Sequence, residues 1–146
     1  MRKIAAGLAL AFSVTVFTSH GQVALPEINK ILSNAAQSLT AMQFDPNAPV
    51  TIRGRVSTLV WPEKSNGMVL IEADPSGKRY AFSTAGVPAM AKQGFSRFSI
   101  HPGEEVVVTG FLAAGNAKIG PGFDAARADL ITKTDGTRVF DRSRLP

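Results

Sequence analysis

The segment Val50 to Trp61 (VTIRGRVSTLVW) alternates side-chain character with a period of two and carries a glycine, Gly54, in its middle. Such alternation belongs to a strand with one face on a core, and a glycine inside the run marks a bend or a close approach of another backbone. A second strand pattern, Glu105 to Ala113 (EVVVTGFLA), is interrupted in the same way at Gly110. Strands that bend at glycines suit a small closed barrel, whose sheet must curl back onto itself. Alternation puts Val50, Ile52, Gly54, Val56, Thr58 and Val60 on one side of the first strand. Thr51, Arg53, Arg55, Ser57, Leu59 and Trp61 fall on the other.

The rest of the chain supplies the other elements. Asp45, Pro46, Asn47 and Pro49 read as a turn or linker ahead of the first strand. MVLIEA, the turn Asp74-Pro75-Ser76-Gly77 and KRYAFST read as a hairpin. Gly86 to Gly94 holds a short helix closed by a glycine. After the turn His101-Pro102-Gly103-Glu104 come the strand with Gly110, a Gly-rich loop at Ala114 to Gly122, and the strand FDAARADLITK. Asp135-Gly136 then turns into a last short strand near Thr137 to Phe140. Ahead of everything, Pro26 to Met42 spaces Ile28, Ile31, Leu32, Ala35, Ala36, Leu39 and Met42 as one face of an amphipathic helix. Three strands, a helix and two or three further strands is the order of the OB fold. The expected class is therefore mainly β: a five- to six-stranded OB-like barrel, a short helix between strands three and four, and an added N-terminal helix. An open β-sandwich is the competing arrangement.

Met1, Arg2 and Lys3 precede the uncharged run Ile4 to Phe17 and the residues Thr18, Ser19, His20 and Gly21, the layout of a cleavable export signal. The run is shorter than the roughly 20 residues of a membrane-spanning helix, so no stable membrane insertion is expected once the signal is cut. Cleavage after Gly21 gives a signal at 1–21, a helical segment at 22–43 and a barrel domain with a basic tail at 44–146, located in the periplasm or outside the cell. It also changes the charge. The full chain carries +5; without Arg2 and Lys3, 14 basic residues face 11 acidic ones, a net +3. The tail Arg138 to Pro146 holds Arg138, Arg142 and Arg144 against Asp141. The body is thus nearly neutral and lacks the basic stripe by which proteins hold phosphate backbones, so nucleic acid is not an expected partner.

Three stretches, FDPNAPVTIRGRVSTLVW, IHPGEEVVVTGF and DLITKTDGTRVF, together resemble a family of small exported bacterial proteins of unknown function. The resemblance runs from Phe44 to Phe140 through Phe44-Asp45-Pro46, Val50 to Trp61, Gly86-Val87-Pro88 and Pro102-Gly103-Glu104. The turn before the fourth strand is also similar to that of periplasmic OB-fold domains, which implies the barrel. Members of the family commonly carry histidines after the signal and after the tryptophan, implying a metal role. This chain has only His20 near its signal and PEKSNG after Trp61.

Cysteine is absent, which excludes disulfides, thiolate metal sites and a cysteine nucleophile. His101, the one histidine beyond the signal, stands in a turn without a Gly-x-Ser-x-Gly elbow anywhere in the chain. Glu104 and Glu105 are adjacent, so on a strand they point to opposite faces. Neither an enzyme nor a cofactor is expected. OB barrels bind across the face of strands two and three with aromatic platforms and cations. The candidate ligand-binding residues are accordingly Trp61, Arg55, Arg53 and Tyr80, beside Arg79, for a small ligand or a protein partner; Trp61 closing one end of the core is the alternative role. A second reading is a copper-handling protein that uses His20 at a mature N-terminus.

Overall fold

The computed structural model describes residues 25–120 and 122–145. The expected export signal at 1–21, with His20 in it, lies outside them. Helix α1 is Leu25–Thr40 and α2 is Val87–Lys92. The strands are β1 (Phe44–Val60), β2 (Asn66–Ala73), β3 (Arg79–Gly86), β4 (Glu105–Ala113), β5 (Lys118–Ile119), β6 (Phe123–Lys133) and β7 (Arg138–Asp141). Every strand belongs to the compact unit that begins at Ser33.

The fold is mainly β, with the helix order expected. Antiparallel pairings run β3-β2-β1-β4-β6, and a parallel pairing of β3 with β6, Arg79↔Phe123 to Ser83↔Arg127, joins the ends. Five strands thereby close into a ring. The two-residue β5 in the Gly-rich loop and the four-residue β7 are additions on β6. Inside the ring Val56, Ile71, Phe82, Val106, Val108 and Ile131 are all buried at 1% exposure or less. Met90 of α2, with Phe95 and Ile100 from the connection to β4, belongs to the same core. Burial of each such side chain stabilises the fold by about 1.5–3 kcal/mol.

The glycines sit where the ring turns. Gly54 lies opposite Ala73 of β2 and Val106 of β4 at once, the point where β1 passes from one partner to the other. A β-carbon there would stand 2.2 Å from the Glu72 carbonyl oxygen. At Gly110 it would stand 1.8 Å from the carbonyl oxygen of Arg127. Both neighbours are backbone, and neither can yield without opening the ladder.

Two sequence expectations are corrected. Asp45, Pro46, Asn47 and Pro49 lie within β1, not in a linker before it. The ladder jumps there from Phe44↔Ala113 to Pro49↔Phe111, so the extra residues bulge out, with Asn47 N–H donating to Asp45 Oδ1 at 2.8 Å. This half of β1 pairs with β4, and the bulge accommodates the missing N–H groups of the prolines. The alternation through Trp61 also breaks. Val56 faces Ile71 and Thr58 faces Leu70, which leaves Ser57 as a bulge residue whose hydroxyl donates to the Leu70 carbonyl at 3.1 Å. One inserted residue reverses the faces that follow. Leu59 and Trp61 consequently pack against the core on the side of Val56, opposite Arg53 and Arg55.

Strands β2 and β3 are buried on both faces. Their outer row, Met68, Leu70, Ala81 and Ser83, is 0–8% exposed although it points away from Val69, Ile71 and Phe82. The last turn of α1 is tied to the start of β2 beside this row. Ala36 and Leu39 are buried at 1% and 0%, and Thr40 Oγ1 accepts from the Asn66 N–H at 3.1 Å while Asn66 Nδ2 donates to Ser83 Oγ.

Gly54→Ala and Gly110→Ala should each lower stability by about 2–4 kcal/mol, through overpacking against backbone. Gly77→Ala, at φ +74° with nothing within 4 Å, should cost only about 1–2 kcal/mol. Urea unfolding midpoints at constant slope check the ranking.

Candidate functional site

The bulge at Ser57 separates Trp61 from Arg53 and Arg55. Trp61 follows β1 and meets Phe95 edge-on, with ring centroids 5.5 Å apart at 76°. Tyr80 faces the interior at 7% exposure, stacked on Phe82 at 5.7 Å, with Lys78 Nζ 5.8 Å from its ring centre. Arg53 and Arg55 remain together on the outer face of β1, both exposed. Arg53 Nε donates to Glu105 Oε2 at 3.1 Å, and Arg55 Nη1 donates to the Gly103 carbonyl at 3.3 Å. Arg79, also outward, lays its guanidinium 4.9 Å from the Phe123 ring centre.

Register places Arg55 and Arg79 in one cross-strand row. Glu105 of β4, Arg55 of β1, Glu72 of β2, Arg79 of β3 and Phe123 of β6 are successive partners around the ring. The row alternates in charge, as cross-strand pairs favour. Arg55 and Glu72 at its centre are exposed, in contrast to the buried Met68, Leu70, Ala81 and Ser83 farther along β2 and β3. Beside it, Val56 N–H donates to the Glu104 carbonyl and Gly103 N–H to the Val56 carbonyl, which fastens the α2–β4 connection to β1 at Arg55.

That connection contains a residue the sequence reading passed over. Phe98 is 71% exposed, and Arg97 lies 5.8 Å from its ring centre. The Ser96 N–H donates to Ser99 Oγ and the Phe98 N–H to Ser96 Oγ, so the local turn holds the ring outward. The interleaved aromatic and basic residues of GFSRFS between Gly94 and Pro102 were the available signal. Phe95, in the same stretch, is buried at 1%.

The carboxylates here are neutralised separately. Lys133 Nζ, 3.0 Å away, holds the Glu104 carboxyl below its ordinary value, assisted by the His101 N–H at 3.0 Å. The Arg53 hydrogen bond does the same for Glu105. His101 Nδ1 stands 3.8 Å from Glu104. Among the described residues no three of His, Asp and Glu converge as metal ligands, and no helix is long and apolar enough to cross a membrane. In comparison with known proteins, no family model and no curated protein matches this chain.

Glu104 and Glu105 titrate lower in the folded chain than in the unfolded one, so their contribution is present above the carboxylate range and lost as pH falls through their folded values. Stability should be flat from about pH 8 to pH 5 and decline below about pH 4. Glu104→Gln should shrink that decline, as read from urea midpoints across pH. An unchanged acid limb in the variant would remove Glu104 from the account.

Proposed function

We propose that this is an exported, non-enzymatic binding module that engages a protein partner through the outer face of β1 and the α2–β4 connection. The observation that carries the reading is Phe98, held outward at 71% exposure in a connection hydrogen-bonded to Arg55. Large aromatic and arginine side chains on one rigid surface are the composition of interface centres. Arg97 sets a cation beside the aromatic, Arg53 and Arg55 add two more on the strand to which the connection is fastened, and the ring of strands gives that strand a fixed position. Glu104 and Glu105, tied to different basic partners, aim at no common point, which supports binding over catalysis. Export rests on the charge, apolar run and small residues of Met1 to Gly21. Trp61 and Tyr80 contribute by fixing the core under this face.

A photo-cross-linking side chain in place of Phe98, expressed in an exporting bacterial cell, should give a discrete adduct. Adding Arg53→Ser and Arg55→Ser should reduce it by about fivefold or more, while the same probe in place of Asn116 should give none. Trp61→Ala should weaken the fold without abolishing the adduct in the molecules that remain folded. An adduct at position 98 that the arginine substitutions leave intact, or no adduct at all, overturns the reading.

A further inference from the structure

Two arginine pairs, each sharing one aspartate, stand side by side near the C-terminus. Asp129 takes Arg127 through Nε at 2.9 Å and Nη2 at 3.3 Å, and Arg142 through Nε at 3.1 Å. Asp141 takes Arg138 at 3.1 Å and Arg144 at 3.7 Å. Each set carries one positive charge more than its carboxylate neutralises. A depression of about 370 Å³, lined by Asp129, Leu130, Arg138, Asp141, Arg142 and Ser143, lies between them.

The arrangement is held rigidly. Asp129 is the extra residue where the ladder passes from Thr109↔Leu130 to Gly110↔Ala128, which brings it beside Arg127. Arg142, whose side chain is only 25% exposed, also donates to the carbonyls of Ala128, Ser83 and Thr84. Burial and then the neighbouring Arg127 charge pull its pKa down, against the pull of Asp129. Asp141 Oδ1 accepts from Ser143 N and Oγ while Oδ2 faces Arg138 and Arg144. The oxygens of both carboxylates are therefore engaged; Arg138 and Arg142 line the depression with them, and Arg127 and Arg144 are linked to it through the shared aspartates. Arg138 and Arg144 are 52% and 66% exposed, with most of their N–H groups unused by the described residues.

We propose that this depression is a binding site for a doubly charged tetrahedral oxyanion, of the phosphate class. The four guanidiniums of the cluster exceed its two carboxylates by two charges, which matches the charge of such an anion, and the planar donor forks of the exposed Arg138 and Arg144 match the spacing of its oxygens. The site lies on β6, β7 and the turn after them; none of Arg53, Arg55 and Phe98 lines it, and the substitutions that should weaken it fall on other residues than theirs, so its success or failure is distinguishable from that of the protein-binding face.

The test is titration of the folded barrel with inorganic phosphate at low ionic strength, followed by amide chemical shifts, against sodium chloride of equal ionic strength. Saturable shifts confined to residues around Asp129 and 138–144, with a Kd of about 1 mM or tighter, and a phosphate-dependent rise in the thermal midpoint are expected. Arg138→Ser with Arg144→Ser, both exposed, should weaken binding about tenfold or more, and Arg53→Ser with Arg55→Ser should leave it unchanged. Shifts that chloride reproduces, or phosphate binding that the Arg138 and Arg144 substitutions leave intact, overturn the proposal.

Discussion

The ring closes because two backbones approach more closely than any side chain would allow. At Gly54 the first strand touches β2 and β4 together, and at Gly110 the fourth touches β6. These contacts let the sheet curl until β3 and β6, far apart in the antiparallel order, pair in parallel. Everything else depends on that closure. The core of Phe82, Val108, Ile131 and Phe140 is enclosed only in a closed ring, and Arg55, next to Gly54, stands at the corner it creates.

Bulges then decide which side chains reach solvent. Ser57 turns Trp61 inward, and Asp129 swings beside Arg127 because it is the unpaired residue of β6. A regular ladder would have given neither arrangement. The exposed surfaces of this ring of strands are set as much by irregularities in pairing as by residue identity.

Much of the architecture was legible in the sequence: the glycines inside alternating runs, the Asp74-Pro75-Ser76-Gly77 turn and the helical spacing through Leu39 each reflect a local rule. The site was less legible. A bulge at a glycine announces itself, whereas Ser57 is an ordinary strand residue, and its place depends on where β2 begins to pair. The apolar run Met68 to Ile71 did carry a sign of burial on both faces, but which element covers the outer one is tertiary information. The basic tail was visible as a charge excess. Its geometry was not, since Asp129 and Arg127 come from another strand.

Closure itself is open to direct measurement by nuclear Overhauser contacts between β3 and β6. The account predicts backbone contacts in parallel register, with Ala81 beside Ala125 and Ser83 beside Arg127, and slow amide exchange along both strands. Contacts of β3 with β2 alone, and fast exchange along the first half of β6, would mean an open sheet and would contradict it.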